Sequence, residues 1–105
     1  MQSLRFRQGD VLLISASPIS EGQGQKLPHL VLAEGEVTGH KHQVTEGQAE
    51  LYEENNVLFL RVLSQTATLV HEEHQPIHLP QGTWMVMIQR EYQPQDLKSY
   101  HYVED

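Results

Sequence analysis

Histidine is the residue whose number and spacing in this chain point to chemistry. There are seven in 105 residues, and four of them fall in two tight pairs. The first is Gly39-His40-Lys41-His42. Alternate side chains of a strand share a face, so His40 and His42 can aim two imidazoles at one point. The second is His71-Glu72-Glu73-His74. A spacing of three does not share a face on a strand, but it converges in a turn, and His74-Gln75-Pro76 reads as one. His78 follows close behind. Neutral imidazole suits zinc, copper, iron and nickel, and three or four ligands at about 2.0–2.1 Å make an ordinary site. The candidate ligands are His40, His42, His71 and His74, with Glu46 as a further ligand or as a general base near bound water. Glu72 or Glu73 can orient a ring from behind. The competing reading makes these surface histidines near turns, paired with Glu46, Glu72 or Glu73. His29 and His101 stand alone and are set aside. The second pair is not a zincin motif, because that pattern needs a helix and a histidine where Gln75 stands.

The elements that must position these residues are short strands. Gly9-Asp10 precedes a strand over Val11–Ser15. Ser17-Pro18 and Ser20–Gln25 read as loop, His29–Ala33 as a strand ended by Glu34-Gly35, and His40–Thr45 as a strand ended by Glu46-Gly47. Ala49–Tyr52 follows, then a hairpin turn over Glu53–Asn56. Val57–Leu63 is apolar almost throughout, as expected of a strand buried on both faces. Thr66–His71 and a brief Ile77–Leu79 come next, and Pro80-Gln81-Gly82 reads as a turn. In Thr83–Tyr92, Trp84, Val86, Ile88, Arg90 and Tyr92 share one face, while Met85 and Met87 lie on the other. The simplest reading is a strand buried on one face and partly on the second; the sharper one has Met85 and Met87 lining a pocket or subunit interface. Arg90 and Tyr92 can make a polar contact where the apolar pattern stops. Pro94–Ser99 is the best place for a helical turn, and Tyr100–Val103 for a last strand. The expected fold is all-β, a single small barrel or sandwich over residues 1–105.

The segment Gly35-Glu-Val-Thr-Gly-His40-Lys-His42-Gln-Val-Thr-Glu46 resembles the first motif of the cupins, small β-barrels that hold a metal with His-x-His, a following glutamate and a fourth histidine. The resemblance implies His40, His42 and Glu46 as the first three ligands. The second cupin motif has Pro-x-Gly followed three residues later by histidine. Here Pro80-Gln81-Gly82 is present and Met85 stands at the histidine position, so His71 or His74 would have to supply the missing nitrogen. The glycine after Glu46 also comes at once, at Gly47. Residues Glu73-His-Gln-Pro-Ile to Gln89-Arg-Glu-Tyr92 further resemble small uncharacterised bacterial and phage proteins, which implies no function.

Composition narrows the rest. Seven basic and fourteen acidic residues give a net charge of −7. Arg5 and Arg7 are the densest basic pair, so a phosphate backbone is a poor partner and no nucleic-acid binding is expected. The chain has no cysteine, which removes disulfides, thiolate sites and a cysteine nucleophile. No serine sits in a Gly-x-Ser-x-Gly elbow, and Gly22-Gln-Gly24 lacks the lysine and helix of a phosphate loop. Residues Met1 to Asp10 lack an apolar signal core, and no apolar run is long enough to span a bilayer, so a cytoplasmic protein with no membrane contact is expected. The favoured function is divalent-metal binding, with zinc ahead of iron, nickel and copper, with a possible small-molecule ligand and a homo-oligomeric state. The enzymatic reaction, if any, is left open. The rival is a non-enzymatic interaction module that uses strand edges. A third reading is a pH-responsive binder whose histidines charge below about pH 6.5. The metal reading expects His40→Ala with His42→Ala to abolish uptake while the fold survives.

Overall fold

The computed structural model describes residues 4–18, 24–35 and 37–89. They form eight strands and no helix: β1 Arg5–Gln8, β2 Val11–Ala16, β3 Gln25–Lys26, β4 Val31–Glu34, β5 Lys41–Glu46, β6 Ala49–Glu54, β7 Val57–His71 and β8 His74–Ile88. The fold is all-β, as expected, and its sheet curls into a half-barrel. Every pairing is antiparallel. The strand order is β1-β2-β8-β7-β5-β4, with β6 also on β7 and β3 on β6. Among the described residues no helix is long and apolar enough to cross a membrane.

The long β7–β8 hairpin is the spine. The first half of β7 takes β6 on its outer side, and the second half takes β5. β8 takes β2 along Thr83–Ile88. Rows of inward side chains cross these strands: Leu51, Leu60 and Trp84 lie on one rung, and Leu13 and Val86 lie on another. All five are buried in one core with Val11, Leu32, Val44, Val62, Ala67, Leu69 and Leu79. Each fully buried leucine contributes about 1.5–3 kcal/mol. Phe6 meets the Trp84 ring edge-on at 5.3 Å, and the Trp84 indole donates to the Pro80 carbonyl at 3.1 Å.

Four local expectations are corrected. Val57–Leu63 is not buried on both faces: Leu60 and Val62 point inward, while Arg61 and Leu63 are exposed. Pro80-Gln81-Gly82 is not a turn but runs inside β8. There Val62 pairs with Gly82 and Thr66 with Pro80, so the surplus residues of β7 bulge out and the bend is absorbed within the hairpin. Pro76 and Pro80 are tolerated because β2 pairs only with the later part of β8, leaving this half flanked by β7 alone. His74-Gln75-Pro76 opens β8, and the turn itself is Glu72-Glu73. Finally, Gln25 and Lys26, read as loop or its margin, form a short strand on β6. Trp84 and Val86 are buried and Met87 is exposed, which agrees with the simplest reading of that strand. Arg90, Tyr92, Pro94–Ser99 and Tyr100–Val103 lie outside the described residues.

Candidate metal centre

The two histidine pairs meet, and register is the reason. Gln43 pairs with Val70 and Val44 with Leu69, so one more rung sets His42 across from His71. The β7–β8 hairpin then pairs His71 with His74. Directly opposed residues of antiparallel strands share a face. His42, His71 and His74 therefore form a row across β5, β7 and β8. The His71 ring is the hub, with centroids 4.2 Å from His42 and 4.7 Å from His74. His40, just ahead of β5, packs edge-on against it at 5.6 Å. The ligand atoms of His40, His71 and Glu72 all lie within 4.8 Å of one another. Two ligands on a tetrahedral zinc stand about 3.3 Å apart, so the set would have to draw together to hold an ion.

Each ring has a distinct environment. His42 is only 4% exposed. Its Nδ1 lies 2.8 Å from Gln8 Oε1, and its Nε2 lies 3.6 Å from Asp10 Oδ1. His71 Nδ1 accepts the Glu73 N–H at 3.0 Å. Ligation through that nitrogen would give up a bond worth about 1 kcal/mol. His40 Nδ1 is buried without a hydrogen bond and lies 3.7 Å from Glu73 Oε2. An orphaned buried imidazole nitrogen is a cost that a bound cation would remove. The Lys41 N–H donates to Glu72 Oε1 at 2.9 Å. That bond, first among several causes, holds the Glu72 carboxyl below its ordinary range and keeps it anionic.

The β1–β2 turn covers the row. Gly9, with φ near +60°, sits so close that a Cβ there would stand 2.7 Å from His74 Nε2 and 3.3 Å from His42 Cε1. Gly9-Asp10 was legible as a turn. Its proximity to the histidines was not, and no spacing links Gln8 or Asp10 to residues so distant in the chain.

Glu46 does not join the histidines. It pairs with Thr68 across a bulge at the far end of β5 and accepts from Thr68 Oγ1 at 3.3 Å. The Thr68 hydroxyl also bonds His78 Nδ1 at 3.1 Å. Met85 lies between Ile14 and Phe59, on the part of β8 remote from the Glu72-Glu73 turn. Two positions that the cupin resemblance would use are thus placed elsewhere. His29 makes a local bond, its Nδ1 accepting the Val31 N–H at 3.1 Å. His101 lies outside the described residues.

A cluster of imidazoles with an anionic carboxylate can bind a transition metal, and with an open coordination position it can activate water or polarise a bound anion. In comparison with known proteins, the model of a family described as a domain of unknown function (DUF8820) matches residues 7–89. The chain belongs to that family. No curated protein and no solved structure matches it.

Proposed function

We propose that this member of the DUF8820 family binds a divalent transition-metal ion, zinc first, through the histidines that its β5 strand and β7–β8 hairpin bring together. The observation that carries the proposal is the convergence of His40, His42 and His74 on His71, with ring centroids 4.2–5.6 Å from it. Four imidazoles drawn from two segments into one patch, one with a buried orphan nitrogen, are a poor arrangement for stability alone. The acidic surface attracts cations to it. Whether the ion would be structural or would activate water depends on how many histidines reach it. The cupin likeness is supported by the curled all-β sheet and His-x-His, and weakened by the positions of Glu46 and Met85.

The test is elemental analysis of protein purified without a histidine tag, followed by zinc titration. Near-stoichiometric metal supports the reading; no metal and no uptake overturn it. The informative variants are His71→Ala and His74→Ala, which are expected to lower zinc affinity at least about tenfold while the fold survives. The pair His40→Ala with His42→Ala is less suitable than the sequence suggested, because His42 is buried and holds Gln8. The interaction-module reading has less support. The edge strands β1 and β4 have four residues and β3 has two, β1 carries exposed Arg5 and Arg7, and the open edge of β8 carries Pro76 and Pro80, all of which discourage edge pairing.

A further inference from the structure

Gln8 is a buried polar residue, only 2% exposed. Its amide nitrogen donates to the Leu69 carbonyl and to the Gln75 carbonyl, each at 2.9 Å. Both partners can only accept, so the amide orientation is decided: the nitrogen faces the carbonyls and Oε1 faces His42. An oxygen at 2.8 Å from His42 Nδ1 must in turn accept from it. The proton of His42 is therefore held on Nδ1, and Nε2 is the nitrogen that faces Asp10. Metal-bound histidines commonly have this support, the far ring N–H being held by a fixed acceptor.

His42 Nε2 points at the β1–β2 turn, where Asp10 Oδ1 lies 3.6 Å away. Neighbouring ligands on a tetrahedral zinc stand about 3.3 Å apart, so this nitrogen and oxygen are already near the separation an ion imposes. The turn is also pinned. The Asp10 carbonyl accepts the Gln89 N–H at 2.7 Å, and the Gly9 backbone sits against His74 and His42.

We infer that the β1–β2 hairpin is part of the metal centre: Asp10 supplies a carboxylate ligand beside His42 Nε2, and Gln8 is the positioning residue that sets which nitrogen of His42 binds. This rests on the metal-binding reading above. It makes the site a mixed imidazole–carboxylate centre whose oxygen ligand comes from a segment far from both histidine pairs.

The experiment is zinc titration of the metal-free full chain, wild type against Asp10→Asn, with long-range 1H–15N imidazole spectra of the wild type before and after zinc. Asparagine is compatible with a turn position, so the variant is expected to fold. The expected result is an affinity loss of at least about tenfold in Asp10→Asn, with His42 protonated at Nδ1 in the metal-free spectrum and its Nε2 resonance shifted by zinc. Wild type and Asp10→Asn binding zinc equally would make the Asp10 contact an ion pair only and overturn the inference, while the metal reading stands. A His42 that carries its proton on Nε2, or ligates through Nδ1, overturns the role of Gln8 in the wild type whatever the variant does. A wild type that takes no zinc overturns both readings.

Discussion

His42 and Gln8 form a buried hydrogen-bonded pair within the histidine cluster. Gln8 spends all its hydrogen-bonding groups on three partners: two backbone carbonyls and one ring. His42→Ala would leave the Gln8 oxygen buried without a donor and open a gap beneath the β1–β2 turn. An unsatisfied buried group costs about 1–3 kcal/mol, so this variant should lose at least that much stability in urea unfolding, with or without metal. His74→Ala, at an exposed position, should lie within about 0.5 kcal/mol of wild type in the metal-free state. The contrast separates a histidine that also builds the fold from one that serves the site.

At the scale of elements, the β5–β6 connection decides whether β5 can present its histidines. Gly47 has φ near +93°, and a Cβ there would stand 2.5 Å from the Thr66 carbonyl oxygen and 2.8 Å from Ala67 Cα. Both obstacles are backbone, so no rotamer relieves them. Gly47→Ala should destabilise the protein by about 2 kcal/mol or more, read as a lower denaturation midpoint. On the outer side of β6, the Tyr52 hydroxyl donates to Glu50 Oε1 at 2.6 Å, and Lys26 Nζ lies 3.2 Å from Glu50 Oε2. The Tyr52 bond first, then Lys26, pull the Glu50 carboxyl below its ordinary value of 4.5. A depressed carboxyl contributes stability above its unfolded value, and that contribution is lost as pH falls through the folded one. Tyr52→Phe should therefore be less stable than wild type at neutral pH, and the difference should shrink on acidification below about pH 4.5. Acid unfolding curves of the two proteins measure this.

For the whole molecule, the histidine row ties together segments that the sheet joins only indirectly. β5 and β8 both flank β7 and do not pair with each other, and the β1–β2 turn reaches the row from the other side. An ion held by all of them would bind the folded chain and not the unfolded one. At a hundredfold excess over the dissociation constant that linkage is about 2.7 kcal/mol, a rise in melting temperature on the order of 10 °C for a domain of this size. Zinc should produce the shift, a chelator should reverse it, and His71→Ala should cut it by at least about half.

The sequence by itself determined the material and the local rules. Alternating apolar runs bounded by Gly, Asn and Glu turns meant strands, and Asn55-Asn56 closed a hairpin with both residues at positive φ. His40-x-His42 and His71-x-x-His74 were visible as pairs because their spacing is local. Tertiary structure decided which residues meet. Strand register depends on bulges, here between Val44 and Glu46 and between Leu69 and His71, and a slip of one residue would turn the row to the opposite face. Glu46 is kept from the histidines by distance alone, since four residues of continuous strand from His42 span about 13 Å. Pro80-Gln81-Gly82 had the composition of a turn, yet long-range pairing with β7 drew it into a strand. Gln8 and Asp10 reach the centre only because β1 and β2 fold over β8, and contacts between segments so far apart leave no spacing in the chain to read.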